Sequence, residues 1–542
     1  MRAARTKNLR FRLLAVASMI TVSSVMASPA HALSSLLRGR LESPEKVAPS
    51  CQLGDEGCFT LLGVSVVGAV TISPEQLSFS YDKQLAKPTQ MSDLVIIADR
   101  ITQAYRDEGY FLSQAVVDRQ ALEAGIATIT VIEGHISQVE FDGTRTDLAS
   151  PIMKGFTDAP IAHLPDLDRR LARIKAIRGM SVTSRIRPDP EDPSRHELVL
   201  TTDFDPVEGY AGLSNRGSER VGPLQAYGGV AFNSVLADRD QFRLNVFTTP
   251  VDPGEYARVS ANYRYSFQPG DSLLFGAATA LSQDGHNPNS PEIGGESLSL
   301  WMKYERPLIQ RRTHRLYASV QFDAAHLEND WTSGGGYRDE LRVARVALRG
   351  LQTDDGSKTY FFVELSSGLD ILGASGESVE FRSRYDADAS FTKLYAKTSY
   401  YHDIGKYFGI YALLSGQVSD GPLLSAEEFS VGGSVMGRGY GYGEISGDEG
   451  IAGLLELRAG FSPESDLISF AQGYVSYDAA MVWNDTPTGV RQKDMESAAL
   501  GLRINILDRL SAGIELAKPL TRTPYDEDNR DWQQFFQMSV TY

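Results

Sequence analysis

A chain of 542 residues is too long for one ordinary core and implies two or more units. With 53 Lys+Arg against 69 Asp+Glu it carries a net charge of −16, which repels a phosphate backbone and excludes nucleic acid as a partner. Two cysteines, Cys51 and Cys58, exclude a cysteine-based zinc site and a disulfide-rich scaffold, while 49 Gly, 24 Tyr and 23 Phe point to many short strands and turns.

The chain opens on Arg2, Arg5, Lys7, Arg10 and Arg12 with no acid among them. A mostly apolar stretch over 13–27 follows, then Ala30-His31-Ala32. This order predicts a Sec-type signal peptide over 1–32, cleaved after Ala32. The apolar stretch is too short, and too interrupted by Ser and Thr, for a membrane anchor. Losing its five positive charges takes the chain from −16 to −21. No later run reaches the length of a membrane helix, so the exported chain is either soluble or a β-barrel.

Residues 33–56 read as a tether or short helix, with Leu33, Leu36, Leu37 and Leu41 on one face. Strand-like and helix-like segments then alternate twice in the same order. In the first copy, 57–134, a strand over 59–67 precedes a helix over 74–85 opened by Ser73. A second helix over 91–107 carries Leu94, Ile97, Ile101 and Tyr105 at spacings of three and four, and Gly109 stops it. Strands over 111–117 and 127–132 complete it. The second copy, 135–205, repeats β-α-α-β-β over 136–141, 152–156, 167–177, 182–187 and 197–204. Two such copies predict small α+β domains in series.

From residue 206 to 542 the helical period disappears. Some sixteen stretches of about 10–14 residues alternate with period two between turns, the pattern of a transmembrane barrel. Ala257, Val259, Ala261, Tyr263 and Tyr265 oppose Arg258, Ser260, Asn262 and Arg264. Leu316, Ala318, Val320 and Phe322 oppose Tyr317, Ser319, Gln321 and Asp323, and Phe361, Val363, Leu365 and Leu369 oppose Glu364, Ser366 and Asp370. Ile451, Gly453, Leu455, Leu457 and Phe461 oppose Glu456 and Arg458. A β-sandwich also alternates, but its inner face must be dry, and charges here recur on the inner face; a water-filled lumen accommodates them. The last residues alternate Phe536, Met538, Val540 and Tyr542 against Gln537, Ser539 and Thr541 and end on the aromatic, as bacterial outer-membrane barrels do.

The most distinctive stretch is 429–458, FSVGGSVMGRGYGYGEISGDEGIAGLLELR. Its glycines do not make a nucleotide loop, since no helix follows and the periplasm offers no ATP. Phe429, Gly432, Gly433, the triplet Arg438-Gly439-Tyr440, Gly447-Asp448 and Glu456-Leu457-Arg458 resemble the two-partner secretion transporters of the ShlB/FhaC/HecB (TpsB) type. The family pattern has Val before the arginine where this chain has Gly437, a difference expected to loosen the loop tip. The stretch 473–478, GYVSYD, matches the family's Gly-x-x-x-Tyr/Phe-Asp strand.

The resemblance implies two periplasmic α+β POTRA domains followed by an all-β 16-stranded transmembrane barrel in the outer membrane of a Gram-negative bacterium. It implies a gating loop carrying Gly432, Gly433, Arg438, Gly439 and Tyr440, with the Arg438 guanidinium folded into the lumen onto Asp478. It also implies a porin-like pore without cofactor, metal or ATP. Its partners would be a dedicated, unfolded exoprotein of the haemolysin, haemagglutinin or adhesin kind, outer-membrane lipid, and the barrel-assembly machinery during biogenesis. The alternative is a barrel-assembly or insertion factor, which shares the loop triplet but usually has three or more POTRA units.

A substrate-capture surface is expected around Tyr110, Phe111 and Leu112, beside the helix over 94–105. In an oxidising compartment Cys51 and Cys58 pair by default, closing a short loop worth roughly 2.5 kcal/mol. No enzyme is expected: the eight histidines are scattered, and no GxSxG, HExxH or cysteine nucleophile is present.

Overall fold

The structure, a computed structural model, describes residues 51–542 except 52–54, 56, 118–124, 219–221, 268–269, 284–292, 332–333, 377–378, 380 and 487–488. The expected signal peptide and residues 33–50 of the expected tether or short helix lie outside the described residues. The described residues divide into two compact units, 51–204 and, for the barrel, 205–542.

The first unit opens on the disulfide Cys51–Cys58. Strand β1 (Phe59–Thr60) pairs with β3 (Pro88–Thr89), and between them runs β2 (Gly63–Val67). Helix α1 (Pro74–Leu77) is a single turn, shorter than the expected 74–85, and continues as two 3₁₀ turns. Ser73 starts it through a capping box with Gln76. Helix α2 (Met91–Asp107) buries the expected face, Leu94, Ile97, Ile101 and Tyr105. Each such aliphatic side chain contributes about 1.5–3 kcal/mol on leaving water. Gln90 caps it, and its own N–H donates to Asp93 Oδ2 at 2.9 Å. Strands β4 (Gln114–Val117) and β5 (Ile126–Ile132) complete a sheet of order β2-β5-β4, with β2 parallel to β5.

The pattern repeats in β6 (His135–Gly143), α3 (Thr146–Met153), α4 (Leu164–Lys175), β7 (Met180–Pro188) and β8 (Arg195–Phe204), giving a sheet of order β6-β8-β7 with β6 parallel to β8. Each half has its own core, one around Leu94, Ile101 and Ile129, the other around Leu148, Ile174 and Leu198.

The halves share a joint. The Leu164 N–H donates to the Gly109 carbonyl at 2.8 Å and the Ala162 N–H to that of Gly134 at 2.8 Å. Phe111 and Leu112 pack on the second core, while Tyr110 lies against the His163 ring at 5.4 Å. These three residues therefore do not form the open capture face expected of them. A strand over 111–117 begins only at Gln114, because the preceding residues turn to fill the joint. At Gly134 an added Cβ would sit 2.6 Å from the Leu112 Cβ and carbonyl oxygen, so the close approach requires glycine.

The barrel closes sixteen antiparallel strands. They run β9 (Val207–Ser214), β10 (Gln225–Asn233), β11 (Asp240–Thr248), β12 (Tyr256–Ser266), β13 (Ser272–Gln283) and β14 (Ile293–Gln310). Next come β15 (His314–Trp331), β16 (Gly336–Asp354), β17 (Ser357–Gly368), β18 (Thr392–Ile404) and β19 (Phe408–Ser419). A short hairpin of β20 (Phe429–Val431) and β21 (Ile445–Gly447) stands outside the ring. The ring resumes at β22 (Glu449–Phe461), β23 (Ile468–Thr486), β24 (Gly489–Ile506), β25 (Leu510–Pro519) and β26 (Gln533–Thr541).

Val320, Leu365, Leu455 and Leu457 face outward and exposed, as the alternation requires, whereas Asp323, Glu364 and Glu456 make ion pairs on the inner face. Among the described residues no helix is long and apolar enough to cross a membrane. The ring closes where β26 meets β9 over five residues, Gln537–Thr541 against Tyr210–Ser214. Asn215 extends that ladder by side chain: its Oδ1 accepts from the Phe536 N–H at 2.7 Å and its Nδ2 donates to the Gln534 carbonyl at 2.9 Å.

Candidate functional site

The connection between β19 and β22 folds against the inner wall of the barrel. The β20–β21 hairpin buries Phe429, Val431, Tyr440 and Ile445 against Ala452, Ala480, Val482 and Met495 of β22, β23 and β24. The lumen is thus partly apolar where the loop lies, in place of the uniformly polar interior the alternation suggested.

From this hairpin the tip returns as a tight turn. The N–H groups of Gly433 and Tyr440 donate to the Gly437 carbonyl at 3.3 and 2.9 Å. Gly437 has φ +78°, and a Cβ there would meet the Met495 methyl at 2.3 Å. The position that departs from the family pattern is therefore not a loosened tip: a left-handed turn at this point favours glycine and strains a β-branched residue. Gly432 lies beneath the turn, close to the Gly441 carbonyl. Gly439 passes so near β25 that a Cβ would lie 2.7 Å from the Pro519 nitrogen.

Arg438 is buried, and its guanidinium contacts two carboxylates. Nη2 lies 2.7 Å from Glu456 Oε2 on β22, and Nη1 lies 3.4 Å from Glu515 Oε2 on β25. Nη1 also donates to Ser476 Oγ at 3.2 Å, and the Tyr474 ring lies 5.3 Å from the guanidinium carbon.

Asp478 does anchor the loop, but through its main chain. Asp478 Oδ1 accepts from the Gly437 N–H at 2.7 Å and from Ser497 Oγ at 2.7 Å, and that serine accepts from the Gly439 N–H at 3.2 Å. The expected Arg438–Asp478 ion pair is replaced because the turn at Gly437 presents backbone N–H groups to Asp478 and sends the guanidinium across to β22 and β25. Tyr440 completes the anchorage by donating its hydroxyl to the Glu496 carbonyl at 3.0 Å.

Glu456 and Glu515 organise a wider charge network. Glu456, fully buried, also meets Arg458 Nε at 2.6 Å and Arg503 Nη1 at 2.9 Å. Arg216, in the β9–β10 connection, pairs with Glu515, stacks on Phe535 and donates to the Arg438 carbonyl at 2.8 Å. Buried ions of opposite sign that satisfy one another in this way are costly to separate one at a time. Glu456 stands in the quoted ELR motif, so its position was visible in sequence although its partner was not. Nothing in the local sequence marks Arg216 or Glu515.

A second network sits at the loop base. Arg384, in the connection between β17 and β18, reaches Asp448 Oδ1 at 2.5 Å, Glu428 Oε1 at 2.9 Å and Asp386 Oδ2 at 3.1 Å. It thereby ties that connection to both ends of the loop.

A closed antiparallel barrel with an apolar outer face, a charged inner face and an ion-paired loop folded against the wall defines an outer-membrane β-barrel protein. The family model for haemolysin secretion/activation proteins ShlB/FhaC/HecB matches residues 197–504, more than half of the chain, and the ShlB-type POTRA domain matches 59–134. The chain belongs to the ShlB/FhaC/HecB family, outer-membrane transporters and not enzymes, with the POTRA domain on the periplasmic side.

It is 21% identical over 479 residues to the heme/hemopexin transporter protein HuxB of Haemophilus influenzae strain Rd, covering 85% of this chain and 83% of that protein. It is 28% identical over 232 residues to the outer membrane transporter CdiB of Escherichia coli O6:K15:H31; that match spans 40% of this chain and 39% of the relative's length. The solved structure of CdiB from Escherichia coli superposes with a TM-score of 0.67 at 19% identity, over 96% of this chain and 98% of that one, a likeness of fold.

Proposed function

We propose that this protein exports one dedicated, unfolded exoprotein partner through its barrel, and that the loop bearing Arg438 is the gate. The observation that carries the reading is the way the loop is held. The charged and main-chain anchors of its tip are ion pairs and hydrogen bonds, so an arriving chain can exchange these contacts without breaking a covalent bond. With no nucleotide available in the periplasm, folding of the cargo outside the cell supplies the driving force and the transporter lowers the barrier. Membership of a secretion-protein family supports this reading, as do the transporter names of its relatives HuxB and CdiB.

Both α+β halves act as POTRA domains in this reading. The edge of β2 captures the cargo by strand addition, which tolerates many sequences because main-chain groups make the bonds. Leu62 and Val70, flanking that edge at 65% and 85% exposed, supply adjacent apolar contacts. Quantitative mass spectrometry of culture medium and outer membranes, comparing a deletion strain with wild type, tests the proposal. Loss of one large protein from the medium with other barrels constant supports dedicated export and identifies the cargo. Unchanged medium with several outer-membrane barrels depleted would instead make the chain an assembly factor.

A further inference from the structure

We propose that Glu427 is a positioning residue of the gate: a second charged anchor, opposite in sign to Arg438, that sets where the loop docks on the barrel wall. The proposal rests on the gating reading above. Glu427 lies in a 3₁₀ turn, Ser425–Glu427, just before the β20–β21 hairpin, and is 6% exposed. Its carboxylate meets Arg345 of β16 end-on, at 2.6 Å from Nη2 and 3.2 Å from Nη1. Its Oε2 lies 2.7 Å from Lys393 Nζ of β18. The Lys393 ammonium also donates to the Glu427 carbonyl at 2.7 Å, as does the Gln417 amide at 3.0 Å. Gln417 donates in addition to the Asp448 carbonyl at 3.1 Å, so one side chain of β19 joins both ends of the loop base.

The basic pocket is itself fixed by the wall. Arg345 Nε donates to Asp323 Oδ2 at 2.8 Å and Nη1 to Ser366 Oγ at 2.9 Å, so the guanidinium is aimed before the loop arrives. The inner wall therefore offers Glu427 two cations, Arg345 on β16 and Lys393 on β18, and offers Arg438 two carboxylates, Glu456 on β22 and Glu515 on β25, which it shares with Arg458, Arg503 and Arg216. The loop presents the complementary pair in the matching order, Glu427 and then Arg438. A slipped loop would part the buried Glu427 carboxylate from Arg345 and Lys393 and leave charges of both signs uncompensated in an enclosed site. Glu427 thus fixes the entry end of the loop, while Arg438, the Asp478 bonds and Tyr440 hold its tip.

The test is single-channel conductance of the purified full-length protein in planar bilayers, beside secretion of the partner at matched outer-membrane levels. Glu427→Gln keeps the shape and removes the charge. It should raise the open probability on the order of tenfold, the shift expected from losing a charge-assisted contact. The exchanged pair Glu427→Lys with Lys393→Glu keeps one carboxylate and two cations in the same pocket and should restore wild-type opening, which a purely steric contact would not do.

Wild-type opening in Glu427→Gln while Arg438→Ala opens the channel overturns the proposal and leaves the gating reading standing. No change in either variant overturns both. If Glu427→Gln accumulates poorly, the exchanged pair decides: wild-type levels and opening support the proposal, and behaviour no better than the single variant overturns it.

Discussion

At Glu456 one carboxylate answers three guanidinium groups, those of Arg438, Arg458 and Arg503, in a site with no exposure to solvent. Removing Arg438 leaves Glu456 with two partners; removing Glu456 leaves three cations to find others. Glu456→Ala should therefore reduce partner secretion more than Arg438→Ala. Its cost should be on the order of 3–5 kcal/mol, as for an uncompensated buried charge, read as loss of the heat-resistant folded barrel on gels at equal expression. Gly437→Val, which restores the residue usual in the family, should impair the gate, because φ +78° and the nearby Met495 methyl both oppose it. The check is faster protease cleavage within 430–445, with the barrel intact. Arg438 was legible in sequence because a motif surrounds it. Its partner was not, since a side chain's reach across a lumen depends on strand register, and Glu456 and Asp478 lie side by side there: Glu456 pairs with Ser476, two residues from Asp478. Glu427 was overlooked because an acid beside Glu428 in a loop looks like a solvated surface, and its partners are 34 and 82 residues away in the chain.

Among the elements, the turn after β2 is held by one carboxylate, from the residue that follows β5. Glu133 accepts from the N–H groups of Val70 and Thr71 at 2.9 and 2.7 Å and from the Tyr105 hydroxyl at 2.7 Å. Burial pushes the Glu133 carboxyl up, but these donors outweigh it and hold it below its ordinary 4.5. Burial, and then the bond to Glu133, push the Tyr105 phenol up. A depressed carboxylate stabilises the fold fully above about pH 4.5 and loses that contribution as pH falls through its lower folded value. Amide exchange at Val70 and Thr71 should thus be protected at pH 6 and accelerate, relative to the rest of the unit, on acidification below about 4.5. Glu133→Gln should show the accelerated behaviour already at pH 6. Periodicity made α2 and the barrel strands readable, since one face of each is apolar. Phe111 and Leu112 misled because an apolar pair after a helix stop suits an exposed groove as well as a packed joint, and only the neighbouring domain distinguishes the two.

On the scale of the whole molecule, the joint between the α+β halves depends on Gly134. Gly134→Ala should force Leu112 and its backbone apart. Spin labels on α2 and α4 would then report a broadened distance distribution, with each half still folded. The number of strands and their inward and outward faces followed from alternation alone, because membrane and lumen make opposite demands on successive residues. The folded loop did not follow from it: the apolar residues Phe429, Val431 and Ile445 that fill the lumen carry no periodic signal.

Closure of the ring has a mechanical consequence. A hoop yields at its weakest clasp, and this one is fastened by five facing residues, the Gly209–Tyr542 backbone pair and Asn215, whereas β23 and β24 run together over eighteen. Heat or denaturant should enter first at 537–541, whose amides should exchange before those of any other barrel strand. Asn215→Ala should lower the unfolding temperature of that clasp while the long hairpin of β23 and β24 keeps its own.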